Sequence, residues 1–103
     1  MATRFIVRAT IPVDAGNDMV RGDMGALLQK VMGDLKAEAT YFAVESGQRT
    51  VYAIVSVENS AEITRIAEPL WLALSADVEL IPCMSQDDFG AAMTTIADVA
   101  SRY

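Results

Sequence analysis

Residues 40–57, TYFAVESGQRTVYAIVSV, constrain the fold more than any other stretch of the chain. Two runs rich in Val, Ile, Tyr, Phe and Thr flank Glu45-Ser46-Gly47-Gln48-Arg49, where Gly47 takes a positive φ at no steric cost, so the segment reads as a β-hairpin. A two-residue Gly47-Gln48 turn, or a four-residue loop over 46–49, sets Val44 opposite Val51 and Phe42 opposite Ala53. One face is then Phe42, Val44, Val51, Ala53, Val55 and Val57, wholly apolar. The other is Tyr41, Ala43, Glu45, Thr50, Tyr52, Ile54 and Ser56, which is mixed. A three-residue loop shifts the pairing by one and scrambles both faces, so the side-chain pattern selects an even-length turn.

The remaining elements follow from periodicity. Phe5, Val7, Ala9 and Ile11 alternate with Arg4, Ile6, Arg8 and Thr10, a half-buried strand that Pro12 ends. Val20, Met24, Leu27, Leu28, Val31 and Leu35 then recur at helical spacing, with Asp14 as the cap and a break at 21–23 where Asp23 caps again. After the hairpin, Asn59 with Glu62 three residues on is close to a capping box for a helix whose stripe is Ile63, Ile66, Ala67, Leu70, Trp71 and Leu74. Pro69 within that stripe predicts a kink. Residues 77–83 form a fourth strand, and Pro82 predicts an edge position for it. Ser85 starts a terminal helix with Phe89, Ala92, Met93, Ile96, Val99, Ala100 and Tyr103 along one stripe.

The order β-α-β-β-α-β plus a last helix predicts an α+β fold, the ferredoxin-like sandwich, with an antiparallel four-stranded sheet in the order 4-1-3-2 and the helices on one face. At 103 residues the chain suits one domain spanning 1–103, long enough to bury roughly two-thirds of its unfolded surface. The sheet face away from the helices carries Ile6, Arg8, Thr10, Tyr41, Ala43, Glu45, Tyr52, Ile54, Ser56, Glu79, Ile81 and Cys83. It is too apolar for a solvated surface and too polar for a core, and so predicts a cavity shared with a second subunit. An apolar fraction of 52% points the same way.

With its hairpin TYFAVESGQRTVYAIVSVEN, its helix IAEPLWLAL and its segment ADVELIPCMSQDDF, the chain resembles one of the small families of the dimeric α+β barrel group across essentially its whole length. In that group two ferredoxin-like protomers stack sheet against sheet. The resemblance implies a homodimer. Because relatives of this fold include cofactor-free monooxygenases, lactone isomerases and members with no known activity, it does not select a reaction.

Charge and residue absences narrow the chemistry. The net charge is −6 and the eight basic residues are scattered, which argues against a nucleic-acid partner and against anionic membrane surfaces. No apolar run approaches the ~20 residues needed to span a bilayer. The lone Cys83 and an amino-terminal stretch interrupted by Arg8 suggest a reducing, cytoplasmic setting. With no His and one Cys, zinc, iron–sulfur and triad-type nucleophilic sites are not expected, and no cofactor or metal is assigned. Asp14, Asp18 and Asp23, or Asp87 with Asp88, are explained by helix capping, and the six methionines by core filling.

What remains is a candidate pocket of Arg8, Tyr41, Glu45, Tyr52, Glu79 and Cys83. On the functional reading, Arg8 orients an anionic or carbonyl group while a Tyr or a Glu transfers a proton. The structural reading is an Arg8–Glu79 cross-strand ion pair with tyrosines packed at an interface. Trp71 and Cys83 are more simply packing residues. The function expected is that of a small homodimer binding a small apolar or carbonyl-containing molecule on the open sheet face. A cofactor-free monooxygenase- or isomerase-like enzyme and a structural dimer without substrate are the alternatives.

Overall fold

The first alternating run becomes strand β1 (Thr3–Ile11) in a computed structural model that describes residues 2–103. Two helices follow, α1 (Val13–Arg21) and α2 (Met24–Leu35), then the hairpin strands β2 (Ala39–Glu45) and β3 (Gln48–Val57). A 3-10 turn (Ser60–Glu62) leads into α3 (Ile63–Leu74), and β4 (Asp77–Cys83) precedes α4 (Gln86–Ala100). All strand pairs are antiparallel, in the order β2-β3-β1-β4. This is the ferredoxin-like βαββαβ arrangement with an added C-terminal helix.

Helix boundaries follow local capping chemistry. Asp23 accepts from the Ala26 amide and restarts the helix after an extended Gly22, as expected. Asp14 is not a cap: Pro12 holds the N-cap position of α1 without a side-chain bond, and Asp14 lies in the first turn. Asn59 with Glu62, and Ser85 with Asp88, both close capping boxes. Pro69 does not end its helix, which runs on to Leu74. Arg65 fastens α3 to α2, donating to the Asp34 and Leu35 carbonyls at 2.9 and 3.0 Å, groups that a helix C-terminus otherwise leaves unpaired.

The hairpin turns one residue earlier than expected. Ser46 and Gly47 both have positive φ, 52° and 75°, as a type I′ turn requires, and Phe42 therefore pairs with Val51 and Val44 with Arg49. The register differs by two from the expected Val44–Val51 and Phe42–Ala53 pairing, so neither face changes its membership.

The core lies between the sheet and the helices. Val7, Ala9, Ile11, Val51, Ala53, Val55 and Val57 meet Val31, Leu35, Ile66, Leu70 and Leu74 there, each almost fully excluded from water. Full burial of a Val, Leu or Ile side chain contributes about 1.5–3 kcal/mol, so this layer carries the fold. β2 departs from the pattern. Phe42 and Val44 share the core side yet remain 64% and 80% exposed, because α1 and α2 do not close over them. Trp71 is half-exposed rather than core, and Met24, Met84 and Met93 are exposed, with only Met19 and Met32 packed against the core; Met1 lies outside the described residues. β4 pairs only with β1, which gives Pro82 its edge position.

Candidate functional site

Strand register builds the open-face cluster. β1 runs between β3 and β4, so Arg8 is directly opposite Tyr52 on one side and Glu79 on the other. Their side chains all leave the sheet away from the helices. The Arg8 guanidinium binds Glu79 at 2.7 Å through Nη2 and Glu45 at 3.4 Å through Nη1. The Tyr52 hydroxyl donates to the other Glu45 oxygen. Arg8, Glu45, Tyr52 and Glu79 thus come from β1, β2, β3 and β4 respectively, one residue per strand, around one guanidinium.

The cluster is partly open to water, with the Arg8, Glu45 and Glu79 side chains 33%, 40% and 57% exposed. Hydrogen bonding to Tyr52, then the charge of Glu79, holds Arg8 even more firmly protonated than usual. The hydrogen bond to Glu45, together with partial desolvation, pushes the Tyr52 phenol above its ordinary value. At neutral pH Tyr52 is therefore a neutral donor, and Glu45 is the acceptor that holds its proton. One guanidinium against two carboxylates leaves the group with a formal charge of −1, which disfavours an anionic guest. A neutral guest whose carbonyl accepts from Arg8 is compatible with it.

The other two candidates stand outside this group. Tyr41 is opposite Tyr52 in register but 67% exposed, and its hydroxyl makes no hydrogen bond among the described residues. Cys83 pairs with Arg4 at the far end of β4, four residues or roughly 13 Å of strand from Glu79. Beside it is a second polar group that the sequence did not single out. Arg4 binds Glu38 at 3.0 Å and Asp88 at 3.2 Å, and Ser56 donates to Glu38 at 2.9 Å. Those bonds, Ser56 first and Arg4 next, hold the Glu38 carboxyl below its usual range. Arg4 and Ser56 could have been found from the period-two pattern, since both belong to the open face. Glu38 and Asp88 lie outside the strands and carried no such signal.

A second feature is on the other side of the sheet. An apolar cleft of about 440 Å³ opens on the helix side of the sheet, between Met19, Val20, Met24 and Leu28 on the helices and Phe42 and Val44 on β2. Arg49 lines it and donates to Asn17 at 3.2 Å. Arg49 also lies across the buried Gly16, where an added Cβ would stand 2.5 Å from its Nη1.

Among the described residues no three His, Cys, Asp or Glu side chains gather as a metal site, and no helix is long and apolar enough to cross a membrane. No protein-family model matches the chain, and no curated protein matches it in sequence.

Proposed function

We propose that the chain works as a homodimer, two open sheet faces stacked as in a dimeric α+β barrel, that binds a small neutral molecule carrying a carbonyl group. One observation carries the reading. Three polar side chains, one each from β2, β3 and β4, converge on Arg8 of β1 on a face that also carries Ile6, Tyr41, Ile54 and Ile81. A few convergent polar groups in a mostly apolar concavity is the usual composition of a small-molecule site. Stacking a second copy would turn an open face into such a concavity and raise the strength of every hydrogen bond within it. Within that pocket the Arg8 N–H groups that neither carboxylate takes donate to the carbonyl, while Glu45, which accepts from Tyr52, is placed to take up or return a proton if the bound molecule isomerises.

A second reading has its own support. Arg8 is already satisfied by two carboxylates, as in a structural ion-pair network that merely fixes how two subunits register. The two separate on Arg8→Ala, Tyr52→Phe and Tyr41→Phe. Small molecules released by denaturing the purified protein are identified by mass spectrometry, and the subunit count is measured in parallel. Loss of a retained molecule from Arg8→Ala and Tyr52→Phe with the dimer intact supports the binding role. Weakened dimerisation, with no retained molecule in the unsubstituted protein, supports the structural one.

A further inference from the structure

Among the described strand residues, Arg49 is the one charged side chain on the helix side of the sheet. Its register partners there are Ile11 on β1 and Val44 on β2. The half-buried guanidinium finds its place against α1, where buried Gly16 leaves it room: an added Cβ would stand 2.5 Å from Nη1. Asn17 then accepts from Nη2 at 3.2 Å, the one hydrogen bond that Arg49 makes among the described residues. Arg4, Arg8, Arg65 and Arg102 each pair with a carboxylate, whereas Arg49 pairs with none among the described residues. Acidic residues are not scarce, at fourteen against eight basic ones. They are turned elsewhere. Asp14 and Asp18, each two residues from Gly16, lie about 200° round α1 from it and are exposed to water. Asp23 accepts from the Ala26 amide of its own helix. A guanidinium has five N–H donors in a planar fork, so most of this one's capacity is left for something else.

That guanidinium stands at the hairpin end of the apolar cleft of about 440 Å³. Every other lining side chain except Thr50 is apolar, and the Thr50 hydroxyl donates to the Gln48 carbonyl. Phe42 and Val44 form an uncovered β2 wall, and Met19 and Met24 face them from the helices with unbranched, adaptable side chains. The volume falls within the about 300–1,000 Å³ of small-molecule pockets. A matching guest has a long apolar body and one anionic end. A carboxylate takes two parallel N–H bonds from a guanidinium, and an unbranched tail covers Phe42 and Val44. The net charge of −6 favours a singly charged guest over a multiply charged one.

We propose that this cleft binds an amphiphilic monocarboxylate, its carboxylate held by Arg49 and its tail lying between Met19, Met24 and Leu28 on the helices and Phe42 and Val44 on β2. The site is on the opposite side of the sheet from the Arg8 cluster and depends neither on that cluster nor on a second subunit.

Calorimetric titration of the full-length protein with decanoate, below its micelle-forming concentration, tests this. Decanoate should bind, and decan-1-ol, which has the same tail without the charge, should bind at least about tenfold more weakly. Arg49→Gln should lower decanoate affinity about tenfold and leave decan-1-ol unaffected. Val44→Glu, at an exposed position, sets a carboxylate directly across from Arg49 and should likewise weaken decanoate more than decan-1-ol. Circular dichroism verifies the fold of each variant, and Val44→Glu carries the test if Arg49→Gln does not fold. The methyl NMR signals of Met19 and Met24 should shift when decanoate is added. Absence of decanoate binding, equal affinity for decanoate and decan-1-ol, or decanoate affinity that survives in either folded variant overturns the proposal. Loss of decanoate binding from Arg8→Ala with the Met19 and Met24 signals unmoved would place the guest on the open face and also overturn it.

Discussion

Phe42→Ala and Leu70→Ala are predicted to behave differently although both residues belong to the apolar side of the protein. Leu70 is wholly excluded from water within one chain, so its truncation should cost about 2–5 kcal/mol at any protein concentration. Phe42 is 64% exposed in the isolated chain. A fully buried Phe truncated to Ala costs about 3–5 kcal/mol, and roughly a third of that contact exists here, which leaves about 1–2 kcal/mol. Phe42 is on the helix side, so stacking two open faces leaves its exposure, and this penalty, unchanged. Urea unfolding at several protein concentrations separates the contributions. The Phe42→Ala penalty should stay at about 1–2 kcal/mol at every protein concentration, and that of Leu70→Ala at about 2–5 kcal/mol. Equal penalties for both variants in dilute protein would show that Phe42 belongs to the core of its own chain. A Phe42→Ala penalty that rises with protein concentration would show that a second copy covers the cleft.

Two further outcomes follow from the polar contacts. Tyr52 should ionise above the usual tyrosine value of about 10, because Glu45 favours the protonated phenol; its contribution to stability is then complete below that pH and lost as pH rises through the folded-state value. The tyrosinate absorbance difference between the unsubstituted protein and Tyr52→Phe reads this directly, Glu45→Gln should bring the midpoint down, and a midpoint at or below about 10 would contradict the hydrogen bond. Arg65→Met should lower stability by about 1–2 kcal/mol in thermal or urea unfolding, since it leaves the Asp34 and Leu35 carbonyls at the end of α2 without their donor.

How far such positions could be read from sequence depended on what period-two and helical spacing encode. They report which face a residue joins, so the Arg8–Glu79 contact and the membership of both sheet faces were legible. They do not report register at a hairpin: the Gly47-Gln48 and Ser46-Gly47 turns give identical faces, and a left-handed Ser46 has no strong sequence mark. Spacing is equally silent on whether a neighbour reaches far enough. Phe42 and Val44 have the pattern of core residues, but the helices stop short of β2 and leave a cleft. Glu45 joins the cluster through the length of its side chain, since it pairs in register with Gln48 rather than with Tyr52. The stripe on α4 was visible, whereas its lack of a surface to cover is a property of the folded chain.

Native mass spectrometry of the full-length protein tests the central claim most directly, because one spectrum reports the subunit count and any retained small molecule together. The chain is 11.1 kDa, and the account predicts a species of twice that mass with an added small, uncharged molecule that Arg8→Ala loses. A single-chain mass across the micromolar range would contradict the stacked open faces, and with them the pocket around Arg8.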